Sequence, residues 1–309
     1  MIKANPLPLM IRLMPASIII SWLCLHLNFN NNKILGQQWP IFMKHQLLIL
    51  SWTQFLIRDA SPGPDGFNVA FYRAAWPWVG DDVTTLVHNF YRTGTLPPEI
   101  NKTFIVLIPK KNAPVLPQDF RPISLCNVIY KVIAKSLADR IKPHLPNKIH
   151  LSQSAFIPGR HISSNIITAQ EITHTFGLSS WKNKGFLLKI DLAKAFDRIE
   201  WSFITSALSR NGFPSHVVTW IKSCISTPEF SVLVNGQPST SFLSQRGVRQ
   251  GCPLSPYLFV LAINELTMQL QAALQSNQLA GISLGPGCPP IHSLLFANDL
   301  LICGKASLT

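Results

Sequence analysis

Residues 293–303 read S-L-L-F-A-N-D-L-L-I-C, two apolar runs around the polar pair Asn298 and Asp299. Short apolar runs joined by residues that tolerate unusual backbone angles predict a β-hairpin with its tip at that pair. Part of the fold is thereby fixed as sheet, with one acidic side chain held out of it. On these residues alone, Asn and Asp are the usual chemistry of a turn. They gain chemical meaning only if a second carboxylate stands in a comparable setting.

One does. Phe186 to Ile190 reads as a buried strand ending at Asp191, after which L-A-K-A-F-D-R-I-E-W turns into a helix running towards Gly212. A carboxylate at the mouth of a buried strand is costly unless its charge is compensated, so a metal or cationic partner is expected there. Asp197, with Glu200 three positions on, reads instead as a helix N-cap in a capping-box-like arrangement.

Acids are scarce enough for each to matter. The 309 residues carry 27 Lys and Arg against 14 Asp and Glu, a formal net charge of +13, although only 13% of the chain is charged. Such a balance favours a polyanionic partner such as RNA or DNA, and an anionic membrane satisfies the same electrostatics. Six cysteines without a C-x-x-C pair argue against a zinc module and read as small buried side chains in a reducing, intracellular compartment, nucleus or cytoplasm. The length fits one large domain or two modest ones.

Residues 1–57 stand apart. An apolar run from Ala16 to Leu27 has the length of a signal-peptide core but lacks a clear cleavage site, and Pro6, Pro8 and Pro15 interrupt any long helix. No function is assigned to this segment. At Ser61 the turn-rich S-P-G-P-D-G-F opens an ordered domain. Ala70 to Tyr91 has helical spacing, with Phe71, Ala74, Ala75 and Trp78 on one side and a second helix expected to start at Asp81 and Asp82. Lys102 to Ile108 is a strand followed by Lys110 and Lys111, and a second short strand brings Arg121 beside them. Lysines and an arginine on paired strands suit the phosphates of a nucleotide, a solvated loop being the plainer alternative. Ile129, Val132, Ile133, Leu137 and Ile141 mark a helix whose other face, Lys131, Lys135, Arg140 and Lys142, either follows a phosphate backbone or is simply solvated.

Further on, Asn235-Gly236 signals a tight hairpin turn. The loop R-G-V-R-Q-G-C-P-L-S-P then offers donors from Arg246, Arg249 and Gln250, with Gly247 and Gly251 permitting close backbone approach. Ser255 and Pro256 open a helix from Tyr257 to Leu274. Loop and helix start together could receive an anionic ligand.

Taken in order, S-P-G-P-D-G-F, I-P-K-K, D-F-R-P-I-S-L, Q-S-A-F-I-P-G-R, D-L-A-K-A-F-D, R-G-V-R-Q-G-C-P-L-S-P and F-A-N-D-L-L make the chain resemble the reverse transcriptase domain of LINE-type non-LTR retrotransposons, especially those of plants. The resemblance runs from about Asp59 to Cys303. It implies an α+β fold, the fingers and palm of a right-hand polymerase without the thumb, with residues 58–185 mainly fingers and 186–309 palm. It implies that Asp191 and Asp299 hold two Mg²⁺ ions for transfer of deoxynucleotides to a DNA primer on an RNA template. By the same resemblance Phe196 packs beneath the sugar and disfavours ribonucleotides. Lys110, Lys111 and Arg121 lie near the incoming triphosphate, and Gln250 with Gly251 borders nucleotide and template.

Two departures qualify that expectation. The family has two consecutive aspartates at the hairpin tip where this chain has Asn298 and then Asp299, so fewer carboxylates face the metals. The chain also ends soon after Cys303, and no endonuclease region precedes the fingers. Impaired polymerisation is expected, and a catalytically inactive nucleic-acid-binding relic is the alternative.

Overall fold

A computed structural model of the chain describes residues 60–178 and 185–305. The readings for residues 1–57, including Cys24, lie outside the described residues. The chain forms two compact units, and neither is continuous in sequence: residues 60–144 and 199–259 belong to one, 145–198 and 260–305 to the other.

The first unit opens with helix α1 (Val69–Thr93). Asn68 caps it by accepting from the Phe71 N–H at 2.8 Å, and Gly94 ends it in a left-handed conformation with its N–H on the Phe90 carbonyl. The expected break at Asp81 and Asp82 does not occur, because Pro77 lies exposed and the helix continues through it. The buried face is also rotated from the expected one. Tyr72, Val83, Val87 and Phe90 are inside, whereas Trp78 is 80% exposed.

Strands β1 (Lys102–Pro109) and β2 (Phe120–Cys126) form an antiparallel pair, and β1 runs parallel to β4 (Glu229–Val234). The expected tight turn joins β4 to β5 (Gln237–Pro238), with φ of 51° at Asn235 and 80° at Gly236, and β6 (Phe242–Leu243) returns along β4. The order is β2-β1-β4-β5, with β6 also on β4.

Helix α2 (Val128–Ile141) departs from its sequence reading. It is buried on nearly every side, and of its four expected cations Lys131 and Arg140 are buried, whereas Lys135 is half-buried and Lys142, just past the end, is exposed. Lys131 Nζ donates to the Ser61 carbonyl at 2.6 Å, and Arg140 donates to Tyr91 Oη at 3.2 Å and to the Ser136 carbonyl and hydroxyl. A buried ammonium or guanidinium must find such acceptors. Burial also lowers the pKa of Lys131.

The second unit contains the short helix α3 (Leu145–Lys148), α4 (Ile162–Gly177) and a three-stranded sheet of order β3-β8-β7, formed by β3 (Gly185–Asp191), β7 (Ser293–Phe296) and β8 (Asp299–Lys305). Ile172 of α4 packs with Ile282, Leu294 and Cys303. β3 corrects a further expectation. It is an edge strand, and Phe186, Leu187 and Leu188 are each more than a third exposed. Its apolar run reflects strand propensity rather than two covered faces.

After Asp191 come the four-residue helix α5 (Ala195–Arg198) and α6 (Trp201–Arg210), followed by α7 (Ser215–Ser226). Asp197 therefore lies inside α5, and Glu200 takes the N-cap place of α6 without a side-chain capping bond, so the predicted capping box is absent. Helix α8 (Ser255–Gln275) begins at Ser255 as expected. Among the described cysteines none is bonded to another; four are buried and Cys288 is exposed.

Candidate active site

The two aspartates singled out from sequence stand on paired strands of one sheet. β3 and β8 are antiparallel, and their register places Asp191 directly opposite Asp299. On the other side of β8, Asp299 faces Phe296 of β7. Opposed residues in an antiparallel pair have Cα atoms about 4.5–5.5 Å apart and side chains on the same face. Both aspartates are exposed, and two like charges directly opposite one another repel. A cation between them would convert that repulsion into attraction.

The hairpin turn lies one residue earlier than its sequence suggested. Phe296 pairs with Asp299, so the turn has only Ala297 and Asn298 at its centre, and Asp299 already belongs to β8. Positive φ falls on Ala297, at 54°, rather than on Asn298.

What surrounds the turn was not assigned a role from sequence. The loop carrying Q-S-A-F-I-P-G-R runs beside β7, where the Leu295 N–H donates to the Ser152 carbonyl at 2.8 Å and the Ser154 N–H to the Leu295 carbonyl at 3.0 Å. Gln153 reaches the turn with its side chain, accepting from the Ala297 N–H at 3.0 Å and donating to the Ala297 carbonyl at 3.3 Å. Arg160 in turn binds four backbone carbonyls, those of Pro146, Ile149, His150 and Gln153, at 2.6–3.0 Å. The available signal was compositional: a glutamine and an arginine bracketing small and apolar residues.

Phe196 sits half-buried in α5, and the chain reaches it through a tight turn in which the Ala193 N–H donates to the Asp191 carbonyl and Lys194 has φ of 54°.

The remaining predicted residues gather in the other unit. Lys110, Lys111 and Arg121 are exposed around the far end of the β1–β2 pair, where Ile108 faces Arg121 and the Lys110 N–H donates to the Asp119 carbonyl at 2.7 Å. Lys110 Nζ donates to the Gln118 carbonyl at 3.0 Å, and Lys111 Nζ lies 3.0 Å from Asp119 Oδ2. Backbone N–H groups of Leu116 and Val115, and then Lys111, hold the Asp119 carboxyl below its usual pKa. The Gln250 carbonyl accepts from the Ser124 N–H of β2 at 2.8 Å. Gly251 has φ of 103°, and a Cβ there would stand 3.1 Å from the Ser124 carbonyl, so glycine is required for this approach.

Arg249 belongs to the fold rather than to a ligand. It is 7% exposed, donates to Asn101 Oδ1, Thr103 Oγ1 and the Cys224 carbonyl at 2.8–2.9 Å, and lies 3.7 Å above the Tyr130 ring. Its expected role as a free donor is therefore not met.

Comparison with known proteins gives this arrangement a context. The family model described as reverse transcriptase (RNA-dependent DNA polymerase) matches residues 108–307. The chain belongs to the reverse transcriptase family. Its domain is 33% identical over 247 residues to the transposon TX1 uncharacterized 149 kDa protein of Xenopus laevis, covering 80% of this chain and 18% of that protein. It is 28% identical over 250 residues to a Pol polyprotein from a type-2 retrotransposable element of Drosophila melanogaster, covering 81% and 22%. A shorter match, 42% over 67 residues, joins it to an uncharacterized mitochondrial protein of Arabidopsis thaliana, covering 22% and 55%. Among solved structures, apo telomerase from Candida tropicalis is similar with a TM-score of 0.48 at 12% identity, covering 74% of this chain and 49% of that one. This is a reverse transcriptase domain of the non-LTR retrotransposon kind, with mixed helix and sheet, spanning about a fifth of the length of the two transposon proteins.

Reverse transcriptases as a family use divalent metals. Among the described residues no cluster of three or more His, Cys, Asp or Glu side chains is placed to hold one. The opposed Asp191 and Asp299 form a two-carboxylate donor set, which fits an Mg²⁺ that keeps waters and takes further oxygens from substrate phosphates.

Proposed function

We propose that this domain performs RNA-directed DNA synthesis, adding deoxynucleotides from their triphosphates to a DNA primer on an RNA template, and that its lineage is the LINE type of plants. The observation that carries the reaction is the register of Asp191 opposite Asp299. The short Arabidopsis match supports the plant source. Bound Mg²⁺ supplies Lewis acidity for attack of the primer 3′ oxygen on the α-phosphorus and for departure of pyrophosphate. Asp191 and Asp299 are the residues that would hold it.

The other residues take roles that follow from their chemistry. Phe196 packs beneath the sugar, where a 2′-hydroxyl would collide. Arg121 is the planar fork for phosphate oxygens, with Lys110 and Lys111 as mobile charges. Lys111 releases Asp119 when phosphate arrives, because Asp119 remains satisfied by two backbone N–H groups. Gln250 and Gly251, fixed on β2, border the nucleotide and template.

Asn298 supports a second reading, a nucleic-acid-binding domain that no longer catalyses. An amide oxygen ligates a cation without bringing charge, so a second ion is held weakly. Primer extension on an RNA template separates the two. The unaltered chain is expected to extend slowly and Asn298→Asp at least tenfold faster; equal rates would overturn this account of the metal site. RNA binding without extension in either chain, unaffected by Mg²⁺, would favour the binding-only reading.

A further inference from the structure

Gln153 has no part in the chemistry proposed above, yet it engages both polar groups of a single turn residue. Its Oε1 accepts from the Ala297 N–H at 3.0 Å while its Nε2 donates to the Ala297 carbonyl at 3.3 Å. A primary amide set against a peptide in this way completes the donor and acceptor of a β-ladder. The amide has one satisfactory orientation, because Oε1 also accepts from the Ala155 N–H at 3.0 Å and must face two donors. Gln153 is 1% exposed, so water does not compete freely for these bonds.

Ala297 needs such a partner. Its φ of 54° is left-handed backbone, disfavoured for any residue with a Cβ, and an alanine side chain offers nothing to offset the strain. The loop holding Gln153 is itself fixed. Arg160 binds the Gln153 carbonyl at 2.8 Å, and Asn165 Nδ2 donates to the carbonyls of Ser152 and Leu295 at 3.2 and 2.8 Å, tying the loop to β7. The next two residues after Ala297 are Asn298 and Asp299, so the conformation at Ala297 sets the direction in which they leave the turn.

We propose that Gln153 is a positioning residue: its carboxamide holds Ala297 in the left-handed conformation and thereby keeps Asp299 opposite Asp191. The consequence for cation binding rests on the proposed role of that acidic pair. The clamp itself is a property of the turn and can be judged separately.

The test uses the full chain and two readouts, exchange of the Ala297 amide followed by NMR and titration of Mn²⁺ by the EPR signal of the free ion. Gln153→Met keeps the length of the side chain without its polar atoms. It is expected to speed Ala297 exchange about tenfold and to weaken Mn²⁺ binding by a similar factor. Gln153→Asn keeps the carboxamide but shortens its reach by one methylene, and is expected to speed Ala297 exchange as Gln153→Met does. Ala297→Gly in the Gln153→Met background is expected to restore Mn²⁺ affinity, since glycine adopts positive φ without a partner.

Unchanged Ala297 exchange in Gln153→Met overturns the proposal, as does a loss of Mn²⁺ affinity that Ala297→Gly leaves in place. If Gln153→Met does not fold, Gln153→Asn decides, and unchanged Ala297 exchange there overturns the clamp. Mn²⁺ affinity unaltered by Asp299→Asn would remove the cation reading, while the exchange comparison still decides whether Gln153 holds the turn.

Discussion

A guanidinium stacked on a phenol ring and bonded to an amide, a hydroxyl and a carbonyl is not available to a nucleotide. Arg249 therefore anchors the loop that presents Gln250, while Arg246, three residues earlier, is exposed. The two should separate clearly in urea unfolding. Arg249→Met is expected to lower stability by about 3 kcal/mol, because it strips charged hydrogen bonds from buried acceptors. Arg246→Ala should stay within about 0.5 kcal/mol of the unaltered chain. Sequence could not distinguish these arginines, since both sit in one glycine-rich loop. Burial is a property of what packs on the loop. The same holds for Lys131 and Arg140, whose spacing suggested a solvated face and whose acceptors, Ser61 and Tyr91, are remote in the chain. Asp191 was easier to recognise, because a carboxylate closing an apolar run is unusual, whereas Asp299 reads as an ordinary turn residue until Asp191 is set beside it.

Elements were legible where local rules suffice. The Asn235-Gly236 hairpin, the start of α8 at Ser255 and the β1–β2 pair follow from turn chemistry and strand propensity. Boundaries failed where tertiary packing overrode a local signal. Asp81 and Asp82 suggested a second helix start, but α1 runs unbroken past them along the buried face Tyr72, Val83, Val87 and Phe90. Asp197 and Glu200 had capping-box spacing, yet the chain folds a separate turn of helix after Asp191. Loop and strand approach closely at Gly251. Its replacement by alanine combines a disfavoured φ with a Cβ 3.1 Å from the Ser124 carbonyl, and is expected to cost about 2 kcal/mol in thermal or urea unfolding. If Gln250 and Gly251 border the nucleotide, the same substitution should raise the apparent KM for deoxynucleotides in any extending variant.

At the scale of the whole chain, charge and titration give two further tests. The formal charge of +13 predicts RNA affinity that falls steeply with salt. Lys110→Gln should reduce the slope of log K against log salt by about 0.7–1, whereas Lys131→Gln, a change at a buried lysine, should leave the slope alone. In the second unit, burial and then the charge of His150 push the His292 pKa down to about 4, against an unfolded value near 6.5. Between those values the unfolded chain binds more protons. Stability is thus full above pH 6.5 and falls as pH drops towards 4. Comparing urea midpoints at pH 7.5 and 5 should show this decline, and His292→Gln should flatten it.

The interleaving of the two units also bears on how the protein is made. Among the described residues β3 pairs only with β8, and roughly a hundred residues separate Asp191 from Asp299. At about 5–20 residues per second, a ribosome needs about 5–20 s to deliver that partner. Throughout this interval the nascent chain displays Phe186, Leu187 and Leu188 on an unpaired strand edge, where a chaperone or a neighbouring nascent chain can reach them before β8 does.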